Sequence, residues 1–185
     1  MILILRAGEA PHAGFSMVQG DSPDSDYGFG PRIEGPLSAW RGANPWAVVA
    51  NVRGRLDLTD ADFAHLKGIK ALDMSGCTHP GLTDAALAQL RGLHTLNMIK
   101  CCQPSITDAA FAHLHGLHTL GMNHCTQLTD AAFTHLRGIQ LLSLHCCNSA
   151  LITGATFAHL RGLRQLEGAP AGARDVARLL GLAVK

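Results

Sequence analysis

The chain has 185 residues, with 15 Lys+Arg against 14 Asp+Glu and a net charge of +1. So even a balance argues against bulk attraction to nucleic acid or an anionic membrane, and no apolar run nears the roughly 18 residues of a membrane-spanning helix. The length suits one domain with appendages.

The opening MILILRAGEAPH has four apolar residues in a row after Met1. A secretory signal needs about 7–15. Residues 1–45 are rich in Gly and Pro, carry a polar acidic run from Asp21 to Asp26 and show no apolar periodicity. They read as an irregular N-terminal arm. Trp40 and Trp46 end it, and the large apolar area of two indoles predicts that both pack as a cap over the repeats that follow. Residues 46–57 read as a capping strand, because Ala50, Val52 and Arg55 fall where a later repeat has Leu120, Met122 and Cys125.

From Leu58 one stretch recurs five times: LTDADFAHLKGIKALDMSGC at Leu58, LTDAALAQLRGLHTLNMIKC at Leu82, ITDAAFAHLHGLHTLGMNHC at Ile106, LTDAAFTHLRGIQLLSLHCC at Leu128 and a fading ITGATFAHLRGLRQLEG at Ile152. The starts lie 24, 24, 22 and 24 residues apart. A period of this length marks a solenoid, whose units bury their apolar side only against neighbours. The repeats occupy residues 58–168. Residues 169–185 then read as a C-terminal capping helix, with Val176, Leu179 and Leu180 at helical spacing.

The third repeat shows the design. Thr107 or Asp108 caps a helix start, and Asp108 recurs as Asp60, Asp84 and Asp130, with Gly154 in the fifth copy. Phe111 and Leu114 are three apart on one helix face, which must be the core face. Gly116 supplies the left-handed residue that ends the helix. Leu120 and Met122 are two apart, so they share one side of a short strand. Stacked copies make a parallel sheet with one strand per repeat.

The pattern LxxLxLxxCxxLTD with a period near 24 resembles the cysteine-containing class of leucine-rich repeats, familiar from substrate receptors of F-box ubiquitin ligases and found in bacterial and large-DNA-virus proteins. The resemblance implies an α/β leucine-rich-repeat solenoid, a right-handed superhelix with its parallel sheet on the concave side and helices on the convex side. It also implies protein binding through the concave face or adjoining loops. The segment around Trp40, Arg41 and Trp46 looks somewhat like the tail of an F-box, but the upstream residues cannot supply that domain's helices.

Four cysteines, Cys77, Cys101, Cys125 and Cys147, share one repeat position. They read as a buried structural ladder in a reducing compartment, which places the chain in cytoplasm or nucleus. Close C-x₂₋₄-C pairs are absent, so neither metal nor cofactor is expected. Cys102 and Cys146 lie off that column. His65, His113, His135 and His159 share a second position, which duplication of one repeat explains. Lys67, Lys70, Arg91, His94, His115, His118, Arg137, Arg161 and Arg164 gather where helix ends and strand begins. A basic stripe can contact phosphates or an acidic partner; the reading preferred from the sequence is complementarity to the helix dipole together with solubility.

Residues alternating with the core Leu and Met should line the concave face and form the binding site. They are Asp73, Ser75, Thr95, Asn97, Ile99, Thr119, Asn123, Leu141, Ser143 and His145, beside Ala71, Gly121, Gln165 and Glu167. They vary between repeats where core positions hardly do. No nucleophile elbow, phosphate loop, zinc-protease or dinucleotide motif occurs, so no catalysis and no small-molecule substrate are expected. The expected function is non-catalytic protein binding, in its sharper form as a ubiquitin-ligase substrate adaptor. The alternative is a structural component of a larger complex. The expected partner is another protein, not nucleic acid or membrane.

Overall fold

A computed structural model of the chain describes residues 28–148, 150–182 and 184. A helix, α1 (Leu37–Ala43), precedes the first strand, β1 (Val49–Asn51). Five further strands follow at repeat spacing: β2 (Ala71–Asp73), β3 (Thr95–Asn97), β4 (Thr119–Gly121), β5 (Leu141–Ser143) and β6 (Gln165–Glu167). They form one parallel sheet in sequence order. Ala50, Leu72, Leu96, Leu120, Leu142 and Leu166 stand in register across it. β1 lies within the decayed copy and pairs with β2.

The turn elements opposite the sheet are shorter than helices usually run. α2 (Asp60–Phe63) and α3 (Asp84–Ala88) are α-helical, whereas Asp108–His113, Asp130–His135 and Phe157–His159 are 3₁₀ turns. All lie between a threonine and the glycine that ends the turn, at equal spacing in every repeat, and in pieces this short 3₁₀ and α geometry interchange readily. The tighter turn keeps the apolar residues facing inward. Phe63, Leu87, Phe111, Phe133 and Phe157 stack as one buried column. Phe133 and Phe157 meet edge to face with ring centroids 5.3 Å apart. The one 22-residue step loses its two residues between Cys125 and Leu128, outside both strand and turn, so neither register changes.

The ends depart from expectation. Part of the arm is structured: besides α1, the segment before it lies along the free edge of β1, where the Ile33 amide donates to the Asn51 carbonyl at 2.7 Å and the Asn51 side chain donates to the Gly30 carbonyl at 2.8 Å. Phe29, Ile33 and Leu37 are buried there. They close the apolar end of the stack, and Trp40 packs against it in part. Trp46 does not cap anything: it is 90% exposed. It occupies a surface turn after Pro45. At the other end a helix, α4 (Ala171–Leu179), follows the last strand. Its buried contacts come from Ala173 and Ala177, while Leu179 is 87% exposed and Leu180 is exposed too. Small residues let the helix approach closely, and Gly154 shows why closeness matters. A Cβ built on Gly154, which has φ +87°, would lie 3.0 Å from the Ala173 Cα.

Candidate functional site

The candidate site is the face of the sheet turned away from the Phe column. Its side chains occupy three rows. The middle row is Asp73, Asn97, Gly121, Ser143 and Glu167, and all five are buried. Adjacent parallel strands lie about 4.8 Å apart, so small polar side chains in this row are shielded by their neighbours. They also bond locally. The Asp73 carboxylate accepts from the Ser75 amide at 2.9 Å and from its hydroxyl. The Asn123 side-chain oxygen accepts from the Ser143 hydroxyl at 2.8 Å and from the His145 amide at 2.9 Å. Burial pushes the Asp73 carboxyl above its ordinary range, opposed by the bonds from Ser75.

Of the ten predicted face residues, Asp73, Ser75, Thr95, Asn97, Asn123 and Ser143 are therefore buried, and Ile99, Thr119, Leu141 and His145 are half-exposed. The half-exposed four come from the second, third and fourth repeats and flank the middle row. Ala71 and Gln165, also half-exposed, extend the outer row towards the two ends. Periodicity places all of them on one face but carries no information on which are shielded by neighbours.

The cysteine column sits beneath this face. Each thiol donates to a carbonyl one repeat back: Cys77 to Val52 at 3.1 Å, Cys101 to Met74 at 2.9 Å, Cys125 to Met98 at 3.1 Å and Cys147 to Met122 at 3.2 Å. Burial raises the Cys77 and Cys147 thiols to about 11, and it pushes Cys101 and Cys125 well above the ordinary thiol range too. Thiols held protonated and bonded are inert. Cys102 and Cys146 are exposed, and the Cys102 thiol donates to the His124 carbonyl at 2.9 Å. Among the described residues no group of three or more His, Cys, Asp or Glu is placed to hold a metal.

An interaction that sequence reasoning missed runs along one edge. The helix caps are threonines: Thr83, Thr107 and Thr129 each accept from the amide two residues on. The neighbouring aspartates reach across to the next repeat. Asp60 accepts from the Thr83 amide at 2.8 Å and its hydroxyl at 2.6 Å. Asp84 holds Thr107 at 2.6 and 2.7 Å, and Asp108 holds Thr129 at 2.9 and 2.6 Å. Asp130 holds Thr153 and also accepts from the Gly154 amide at 3.0 Å. The first repeat has no predecessor, and Asp62 replaces the alanine found there in the middle repeats to accept from the Thr59 amide itself, at 2.9 Å. The repeated Thr-Asp pair was the available signal; one repeat read alone does not reveal that its Asp serves the next.

The histidines spread out. His65, His113 and His135 are half-buried on the turn side and His159 is exposed. At the strand entries the His94 and His118 rings lie 5.2 Å apart. Partial burial lowers the His94 pKa, with smaller contributions from Lys70 and His118.

No family model matches the sequence, and no curated protein does. Solved structures do. The TLR13–ssRNA13 complex matches with a TM-score of 0.52 and 23% identity, over 64% of this chain and 17% of that one. The Toll–Spatzle complex from Drosophila matches with a TM-score of 0.50 and 14% identity, over 62% and 15%. The Rad7–Elc1 complex from yeast aligns at 0.46 with 20% identity, over 64% and 34%. The chain thus spans under a fifth of the length of the first two. The first of these proteins is in complex with RNA, so the fold does not support the expectation that nucleic acid is no partner. No helix among the described residues is long and apolar enough to cross a membrane. The likeness in fold and the six-stranded parallel sheet make this chain an α/β leucine-rich-repeat solenoid.

Proposed function

We propose that the chain is a non-catalytic protein-binding module of cytoplasm or nucleus, and that its partner sits on the sheet face around Ile99, Thr119, Leu141 and His145. The observation that supports this is the asymmetry of the sheet. The leucines facing the Phe column are fully buried, while the opposite face keeps a half-exposed, repeat-variable patch open to solvent. Asp73, Asn97, Asn123 and Ser143 support that patch from within it. The sharper reading, a ubiquitin-ligase substrate adaptor, rests on the repeat resemblance alone.

Affinity capture from the source cell tests the reading, with the intact chain beside a Thr119→Arg/Leu141→Arg double variant. A discrete protein held by the intact chain and lost by the variant supports the face, and ligase subunits among the captured proteins support the adaptor. Identical capture by both moves binding off the face. A second reading, an assembly component, is favoured by the exposed apolar residues at the two ends, Trp46 and Leu56 at one and Leu179 and Leu180 at the other. Self-association of the purified chain, abolished by Leu179→Lys, would select it.

A further inference from the structure

The described arginines fall into two sets. Arg32, Arg55 and Arg178 pair with Glu34, Asp57 and Asp175. Arg41 donates to the carbonyls of His65, Lys67 and Ala47, and Arg174 to that of Ala169. Arg53 lies within electrostatic reach of Asp73. By contrast, the exposed Arg91, Arg137, Arg161 and Arg164 make no ion pair or hydrogen bond through their guanidinium groups among the described residues.

These four are gathered on one edge. Arg91, Arg137 and Arg161 stand immediately before the glycine that ends each turn, as Lys67 does in the first repeat, and Arg164 immediately precedes β6. The helix dipole does not account for them. The turns they follow are three to six residues long, and aligned peptide dipoles need length to sum. Among the described residues the cations that bond carbonyls at a turn end are Arg41, from outside the array, and Lys70, whose ammonium donates to the Gly92 carbonyl at 3.0 Å. No carboxylate compensates either, because Asp60, Asp84, Asp108 and Asp130 stand at the opposite end of their turns, bonded through both oxygens.

Trp46 lies on the same edge. It is three residues before Val49, as Gly68 is three before Ala71, and those two strand residues are paired. Exposed tryptophan beside unpaired arginine is the composition of the energetic centres of protein interfaces.

We propose that this edge docks an acidic, extended segment of a partner protein, with carboxylates on Arg91, Arg137, Arg161 and Arg164 and an apolar residue against Trp46. The surface adjoins the patch around Leu141, because Arg164 precedes the Gln165 that pairs with Leu141, but shares no residue with it. Lys67 to Arg161 spans four repeat steps, about 19 Å at parallel-strand spacing, the reach of about six extended residues. Guanidinium groups suit bidentate grip on carboxylates. A nucleic-acid strand is the poorer fit, since no Phe, Tyr or Trp stands between the cations to stack bases.

The test is fluorescence anisotropy of the full chain at low salt with two labelled probes, a peptide of six glutamates ending in leucine and a thymidine hexanucleotide. The peptide should bind saturably. R91Q/R137Q/R161Q/R164Q should weaken it about tenfold or more, the sum of four exposed ion pairs, and W46A should weaken it as well. R32Q/R53Q/K100Q/R178Q removes the same charge elsewhere and should weaken it far less. Thermal midpoints of the edge variants should match that of the intact chain, which separates lost docking from lost fold. Absence of saturable peptide binding, equal weakening by both quadruple variants, or tighter binding of the hexanucleotide than of the peptide would each overturn the proposal.

Discussion

On the edge where the turns begin, Asp60, Asp84, Asp108 and Asp130 each grip a threonine one repeat on. On the edge where they end, Arg91, Arg137 and Arg161 grip nothing among the described residues. The sequence shows both as columns of recurring charge, and recurrence alone would give them equal standing. Geometry separates them. The carboxylate is short, so it stays against the backbone and reaches only the next cap. The guanidinium sits at the end of a long chain and projects into solvent. One edge holds the stack together and the other is free to meet something else. The near-zero net charge conceals this polarity, because it sums two edges with different tasks.

Mutation should divide the edges cleanly. Asp108→Ala strips the acceptor from both the amide and the hydroxyl of Thr129 and should cost about 2–3 kcal/mol in urea unfolding. Arg137→Ala should stay within about 0.5 kcal/mol. Equal losses would erase the contrast.

The thiol column between the edges supplies a second standard. Burial holds the Cys77 thiol protonated up to about 11 against an ordinary 9.0. An unfolded chain ionises first, so this contribution is complete below about pH 9 and is lost as pH rises through about 11. Its size is about 2 kcal/mol. Unfolding measured at pH 8 and pH 11 should show the loss, and Cys77→Ala should reduce it. Under the same logic a thiol reagent at neutral pH should modify Cys102 and Cys146 in the folded chain and leave Cys101 and Cys125 untouched until unfolding.

Restoring the repeat consensus should do harm. Gly154→Asp places a Cβ against Ala173 and Val176 at a left-handed φ, and should cost about 1–2 kcal/mol. Hydrogen exchange should locate the loss in α4. The smallest expected effect is Trp46→Ala, within about 0.5 kcal/mol in stability, although that residue is the apolar contact of the proposed docking edge.

The array itself was legible from spacing: strand, turn and glycine recur, and the structure puts Leu120 in register with Leu72, Leu96 and Leu142. Three things were not. Leu37 belongs to a single helical segment with no repeat to reveal it, so α1 was hidden inside an arm read as irregular. The left-handed turn before each cysteine has a visible glycine at Gly76 but is filled by Lys100, His124 and Cys146 in later repeats, where no local residue preference announces it. Burial of Asn97 and Ser143 depends on how closely neighbouring strands shield a small side chain, which alternation cannot report.

The two ends of the aspartate ladder have a consequence for how such a chain grows. Every internal unit offers an aspartate forward and a threonine back, so any internal unit fits any other. Asp62 satisfies Thr59 from within its own repeat, and Gly154 offers no carboxylate while making room for α4. The length of the array is therefore written in a start residue and a stop residue rather than in the units between. Residues 106–127 should behave as a removable or repeatable cassette: a chain with one unit fewer or one more would keep both terminators and an Asp–Thr bond at each joint.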